Sequence, residues 1–270
     1  MGFLGGGITL IFLLSGLAAP LIAPVNFTEV HLEQRLRPPA WDARGSWDHP
    51  LGTDGLGRDL LTRIIYGARV SFIVGISAVV FAGIIGLPLG IMAGYYGGVA
   101  DIIIQRLIEI QMGLPFILIA IILTVIFPPG LGGVILVLGI SSWIQYGRLA
   151  RVETMSIKEL EFINAARMLG CTNARIILRH VLPNLMPTVI VIMTTQLSRA
   201  ILAEATLSFL GLGISPPTPS WGGMVSDGRG YTWTAPWMQT FPGIAIILCV
   251  AGIGLLGNWL RDRLDPRLKY

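Results

Sequence analysis

Apolar residues in this chain come in long runs, separated by polar segments rich in Gly, Pro, Arg and Asp. Ile8 to Pro24 carries no charge, and Val70 to Ala93 forms a second such run. A third follows a polar approach holding Asp101, Arg106 and Glu109, is interrupted by Pro115 and reaches Phe127. The fourth ends near Tyr146, the fifth covers Asn184 to Gly213, and the sixth extends from about Phe241 to Trp259. A helix needs about 20 apolar residues to cross a bilayer, a length these runs approach or exceed. The pattern predicts an all-α integral membrane protein with six transmembrane helices. Its expected divisions are a first span in 1–25, a loop in 26–69, a five-span core in 70–260 with a long polar loop at 147–183, and a tail in 261–270.

Local signals refine these elements. The run Leu60-Leu-Thr-Arg-Ile-Ile-Tyr-Gly-Ala-Arg69 reads as a short amphipathic helix at the interface, ahead of the second span. Gly86, Gly90 and Gly94 recur every fourth residue, a small-residue stripe against which another helix can pack closely. Tyr95-Tyr-Gly-Gly98 and Pro128-Pro-Gly-Leu-Gly-Gly133 read as turns. Arg106 and Glu109, three residues apart, should pair. Trp221, Trp233 and Trp237 in the loop 214–238 suit the headgroup zone. No Lys or Arg precedes Arg35, so Ile8–Pro24 lacks the basic start of a signal peptide and reads as a span.

The segment Glu161-Phe-Ile-Asn-Ala-Ala-Arg-Met-Leu-Gly170 is a polar, helix-forming island. Ser156-Ile-Lys-Glu159 before it has the form of a capping box. Gly170 supplies a stop, Thr172 a cap for a second short helix, and Pro183 a break or kink. The result is a helix–turn–helix carrying Lys158, Arg167, Arg175 and Arg179 between two spans. By shape alone it is either a basic anchor on anionic headgroups or a docking element.

Composition agrees with a membrane location. Hydrophobic residues make up 53% and charged residues 13% of the chain, with mean hydropathy +0.73; soluble chains carry about 25% charged residues. Charge sets an orientation. Six Lys or Arg lie in 147–183 and four follow Leu260, whereas 214–238 holds only Arg229. The positive-inside rule makes the first two segments, and both termini, cytoplasmic. Six arginines in 26–69, on the expected outer side, run against this. Neither lysine, Lys158 or Lys269, follows a glycine, so the chain has no phosphate-binding GxxxxGK[ST] loop and is not itself an ATPase of that type. Cys171 and Cys249 lie in unlike environments and predict no disulfide, and His31, His49 and His180 form no metal-ligand pattern. No catalytic constellation is visible. Arg199 and Glu204 fall inside the fifth span, where ionisable groups are functional candidates by default. Five residues apart, they point about 140° apart around a helix and should not satisfy one another.

Ala165, Ala166, Gly170, Leu182 and Pro183 fall at the spacing of the EAA loop of ABC importer membrane subunits. Asn164 stands where that motif has glutamate and His180 where it has isoleucine. The run from His49-Pro-Leu-Gly-Thr-Asp-Gly-Leu-Gly-Arg58-Asp to Val70-Ser, the run Ala203-Glu-Ala-Thr-Leu-Ser-Phe-Leu-Gly-Leu-Gly213 with Pro216-Pro-Thr-Pro-Ser-Trp-Gly222, and Arg261-Asp-Arg-Leu-Asp-Pro-Arg-Leu268 also resemble C-type permeases of the dipeptide, oligopeptide and nickel importers. The resemblance implies a type I ABC importer transmembrane fold in a bacterial or archaeal cytoplasmic membrane. It also implies a second homologous permease, two cytoplasmic ATPases holding ATP and Mg, and an extracytoplasmic binding protein. Membrane lipid is a further partner and nucleic acid is not one. The coupling residues would be Glu161, Asn164, Ala165, Ala166, Gly170, Leu182 and Pro183, with Arg199 and Glu204 as translocation-path candidates. The implied cargo is di- or oligopeptides. Nickel or metal chelates, and glutathione, are alternatives, and a secondary transporter is a rival of another class.

Overall fold

The computed structural model describes residues 1–23, 27–127 and 130–264. The order is α1 (Gly2–Leu17), α2 (Ala19–Ile22), α3 (Leu60–Tyr96), α4 (Gly98–Met112), α5 (Phe116–Ile126), α6 (Leu131–Ile157), α7 (Glu161–Met168), α8 (Asn173–Ile176), α9 (Leu182–Phe209), α10 (Trp221–Asp227) and α11 (Trp237–Leu264). Four of these stretches are long and apolar enough to cross a membrane: α3, α6, the continuous Asn173–Phe209, and α11. A fifth exists if α4 and α5 count as one span, although they bend by 95° at the Pro115 break. The apolar α1 is shorter than the other spans. Pro24, Asn26, Pro128, Pro129 and residues 265–270, where parts of the expected first span, loop, turn and terminal signature fall, lie outside the described residues.

The second span corrects the sequence expectation. No separate interfacial helix precedes it, because α3 begins at Leu60 and continues for 37 residues, about 55 Å at 1.5 Å per residue. Asp59 caps it, its carboxylate accepting from the Thr62 amide at 2.7 Å. The glycine stripe performs as expected. A methyl at Gly90 would meet the Gly147 carbonyl and come within 2.7 Å of Ala150 Cβ, and one at Gly94 would come within 2.9 Å of Thr154 Cβ. The backbones of α3 and α6 therefore lie nearly in contact, and these two helices form the most extensive pair in the bundle.

Two further expectations change. Ser156 is not a cap: α6 runs to Ile157, and α7 starts after Leu160 with no side-chain cap. Ile157 is buried in a core shared with α7 and α9, and that packing keeps Ser156 within the last turn of α6. Trp221 is not a headgroup residue, for it is fully buried, lies against Gly67 and donates to the Ile64 carbonyl at 2.9 Å. Trp233 is exposed, while the Trp237 indole donates to the Thr53 carbonyl at 3.2 Å.

Candidate coupling loop and polar cavity

The 158–183 segment folds as two short helices across one end of the bundle. Its turn is built by Gly170, at φ +80°. The Cys171 amide donates to the Ala166 carbonyl at 3.1 Å and the Gly170 amide to the Arg167 carbonyl at 3.0 Å. These two bonds form a Schellman motif, which needs a left-handed residue and so favours glycine. Gly211 ends α9 the same way, at φ +80°, with Leu212 and Gly211 amides donating to the Leu207 and Ser208 carbonyls. Thr172 caps α8 as expected, accepting from the Arg175 amide at 3.4 Å.

One face of α7 is anchored and the other is free. Ile163 and Ala166 are buried in a core with Ile91 and Tyr95 of α3, Ile157 of α6, Ile176 of α8 and Leu185 of α9. Glu161, Asn164, Ala165 and Gly170 face outward. Met168 and Leu169, which sequence reasoning passed over, are 91% and 84% exposed at the tip. Apolar residues beside a helix-ending glycine are the signal that would have flagged them. Asn164, standing where the EAA pattern has an acid, accepts from the charged Arg167 guanidinium at 3.2 Å, one helical turn along, with no ion pair formed. Leu182 packs against the same core, and Pro183 is exposed. They open α9 after a π-helical turn at Ile177–Val181, and Pro183, lacking an amide hydrogen, is accommodated there without ending the helix.

The fifth-span candidates part company, as their spacing predicts. Arg199 lines a cavity of about 620 Å³ between α6, α9 and α11, together with Gln145, Asn184, Thr188 and Gln196. Its guanidinium reaches Gln196 Oε1 at 3.5 Å. Glu204 does not line that cavity. It is fully buried, accepting from Ser208 at 2.7 Å and from Ser71 of α3 at 3.4 Å. Arg199 thus borders the cavity, whereas Glu204 lies inside the packing between α9 and α3.

The other end of the bundle is closed by the segment around His49–Asp59. Asp54 Oδ1 accepts from the amides of Leu56 (2.8 Å) and Arg58 (3.0 Å), and its Oδ2 from Arg58 Nε (2.6 Å). Arg63 Nε lies 3.6 Å from the same carboxylate. Asp227 of α10 approaches Arg58 and Arg63 at 3.8 and 3.9 Å. Burial pushes the Asp227 carboxyl above its ordinary value, against the pull of the Arg63 and Arg58 charges. His49 sits between Asp59 Oδ1 (3.0 Å) and Gln34 Oε1 (2.7 Å). The glycines in this motif serve turns, at φ +83° for Gly52 and +77° for Gly57. Among the described residues no group of three or more His, Cys, Asp or Glu side chains could hold a metal ion.

Residues 86–270 match the family described as binding-protein-dependent transport system inner membrane component. The chain is 43% identical over 258 residues to the dipeptide transport system permease protein DppC of Alkalihalophilus pseudofirmus, covering 96% of this chain and 83% of the relative. It is 42% identical to the di/tripeptide transport system permease protein DppC of Pseudomonas aeruginosa, covering 99% and 89%. It is 41% identical to the glutathione transport system permease protein GsiD of Pectobacterium atrosepticum, covering 82% and 73%. In fold it is similar to a chain of the MetNI methionine ABC transporter in an inward-facing conformation, with a TM-score of 0.61 at 18% identity, covering 75% of this chain and 96% of that one.

Proposed function

Because this chain belongs to the family of binding-protein-dependent transport system inner membrane components, we propose that it forms half of the translocation pathway of an ATP-driven importer of di- or oligopeptides. A second, homologous permease supplies the other half. Two cytoplasmic ATPase subunits hold and hydrolyse ATP with Mg, and an extracytoplasmic binding protein delivers the cargo. The observation that carries this reading is the two-faced α7. Its inner side, Ile163 and Ala166, is packed into the core of the spans. Its outer side presents Glu161, Asn164, Ala165 and the apolar tip Met168–Leu169 to a docking partner. The small Ala165 side chain lets a partner surface approach the helix closely. A rigid helix held this way passes a displacement of its outer face into α3, α6 and α9 together, which switches a bistable bundle between two access states.

In this reading the 158–183 end and both termini face the cytoplasm, and the His49–Asp59 cap faces outward. Of the six outer arginines that run against this orientation, Arg58 and Arg63 are held in the cap by Asp54 and Asp227. Cargo moves past Arg199 along the cavity between α6, α9 and α11. The peptide assignment rests on the dipeptide and di/tripeptide names of the relatives, and the name of the glutathione relative supports a second cargo.

The test is co-expression with the neighbouring transport genes, co-purification in mild detergent and reconstitution. An ATP-hydrolysing subunit should accompany the wild-type chain, and Ala165→Trp, at an exposed position, should release it. Uptake of labelled dialanine into ATP-loaded proteoliposomes should require the binding protein, with glutathione and nickel as competitors. Cargo transport by the chain alone without ATP would overturn the reading.

A further inference from the structure

Tyr95 lies at the end of α3, in contact with the segment assigned above as the ATPase dock. Its hydroxyl donates to Asn173 Oδ1 of α8 at 3.0 Å. The Arg167 guanidinium of α7 sits 5.6 Å from the centroid of its ring, within cation–π range. The ring itself is buried in the core that holds Ile163, Ala166 and Ile176. One residue earlier, Lys158 at the end of α6 donates to the Gly94 carbonyl at 2.9 Å. The inner end of α3 is thereby bonded to α6 and α8 and covered by α7.

The opposite end of the same helix carries Asp59 and Arg63, tied to His49, Asp54 and Asp227 in the outer cap. Between the two ends α3 is one continuous helix, with Pro88 within it, packed backbone-to-backbone on α6. A helix so held transmits displacement along its axis, provided both of its end joints are stiff. We propose that Tyr95 is a positioning residue for energy coupling: its bond to Asn173, beneath Arg167, is the joint through which α7 and α8 drive α3, and through α3 the outer cap on which a binding protein would act. This rests on the docking role given to α7 above.

The test uses the assembled complex with both permeases, both ATPases and the binding protein loaded with dialanine. Basal ATPase and its stimulation by binding protein are measured for Tyr95→Phe, Asn173→Leu, Asn173→Asp and the Tyr95→Phe/Asn173→Leu pair. Tyr95→Phe removes the hydroxyl and keeps the ring under Arg167. It should leave assembly and basal hydrolysis intact and cut the stimulation about fivefold, the factor one hydrogen bond of ordinary net strength places on a two-state equilibrium. Asn173→Leu should match it, the pair should be no worse than either single change, and Asn173→Asp, which keeps an acceptor, should retain stimulation. Wild-type stimulation in every variant, with Ala165→Trp still releasing the ATPase, would overturn the role of Tyr95 and leave the docking reading standing. If Ala165→Trp also changed nothing, the docking reading would fall and this inference with it. Failure of the Tyr95→Phe complex to assemble would make the residue a fold element and not a joint.

Discussion

Replacing Asp54 by alanine tests whether the His49–Asp59 cap is held by one central carboxylate. The side chain is 5% exposed, as is Arg63, and Arg58 is 10% exposed. Removing one partner of a buried ion pair leaves the other charge uncompensated, at a cost of about 3–5 kcal/mol. The amides of Leu56 and Arg58 lose their acceptor as well, each worth about 1 kcal/mol net. Asp227 remains 3.8 Å from Arg58 and 3.9 Å from Arg63 and recovers part of the loss. The expected net cost is about 4 kcal/mol. Asp54→Asn keeps an acceptor for the two amides and should cost roughly half of that.

Asp227→Asn is the internal control. That side chain is 48% exposed and its contacts exceed hydrogen-bond length, so its pairing is weak. Its replacement should cost less than about 1 kcal/mol, the range of an exposed pair. Unfolding of the purified complex in mixed micelles gives the total, and hydrogen exchange at the Arg58 amide locates the effect in the cap. Equal costs for Asp54→Asn and Asp227→Asn, or an Asp54→Ala cost below about 1 kcal/mol, would refute the reasoning.

Three other outcomes follow from packing and capping. Gly90→Ala gains about 1 kcal/mol of helix propensity but drives a methyl into Gly147 and Ala150, and overpacking costs about 1–3 kcal/mol, so it should destabilise. Gly254→Ala in α11 meets open space and should stabilise; thermal melts of the same sign for both would count against the close α3–α6 approach. Asp59→Ala removes the α3 cap and a partner of His49 and should cost about 1–2 kcal/mol, whereas Asp59→Asn should keep most of the cap, as unfolding midpoints would show. Glu204→Ala empties a fully buried site at about 2–4 kcal/mol, while Glu204→Gln keeps one acceptor oxygen, turns an amide donor toward the other serine hydroxyl and should cost only about 1 kcal/mol, with transport retained.

How much of this was legible in the chain depended on whether the deciding contact was local. Gly170 and Thr172 were read correctly because each acts within three or four residues: a left-handed backbone closes one helix and a hydroxyl opens the next. The Gly86–Gly90–Gly94 stripe was legible for the same reason, since a repeat of four fixes a helix face without knowledge of the neighbour. Arg106 and Glu109 pair at 2.6 Å, as their spacing requires. The failures were non-local. Ser156–Glu159 has the capping pattern, but burial of Ile157 against α7 and α9 keeps Ser156 inside α6, so it caps nothing. The Leu60–Arg69 run looked interfacial on its own residues, because the acidic partners of Arg63, Asp54 and Asp227, come from a loop and from a helix far along the chain. Trp221 looked like a headgroup anchor in a proline-rich loop; the space that buries it is made by Gly67 on α3.

The candidate residues divide along the same line. Helix geometry alone separates Arg199 from Glu204 by about 140° and so predicts unlike surroundings for them. It does not say which one meets the cavity. That was decided by partners: Arg199 by the amide and hydroxyl residues of α6 and α9 around it, Glu204 by Ser71 from another span. A usable signal was nonetheless present. Ser208 stands four residues after Glu204, one helical turn along the same face, so a hydroxyl was already placed to satisfy the carboxylate. Arg199 has no acidic residue three or four positions away on its own helix. In an apolar span, an acid with a hydroxyl one turn away can be satisfied in a packed core; Arg199 finds on its own helix the neutral Thr195 and Gln196, the latter at 3.5 Å, and shares its cavity with Gln145 of α6. Polar spacing within the span thus accounts for the burial of Glu204 beside Ser208, while the place of Arg199 on the cavity follows from how α6 and α11 pack around α9.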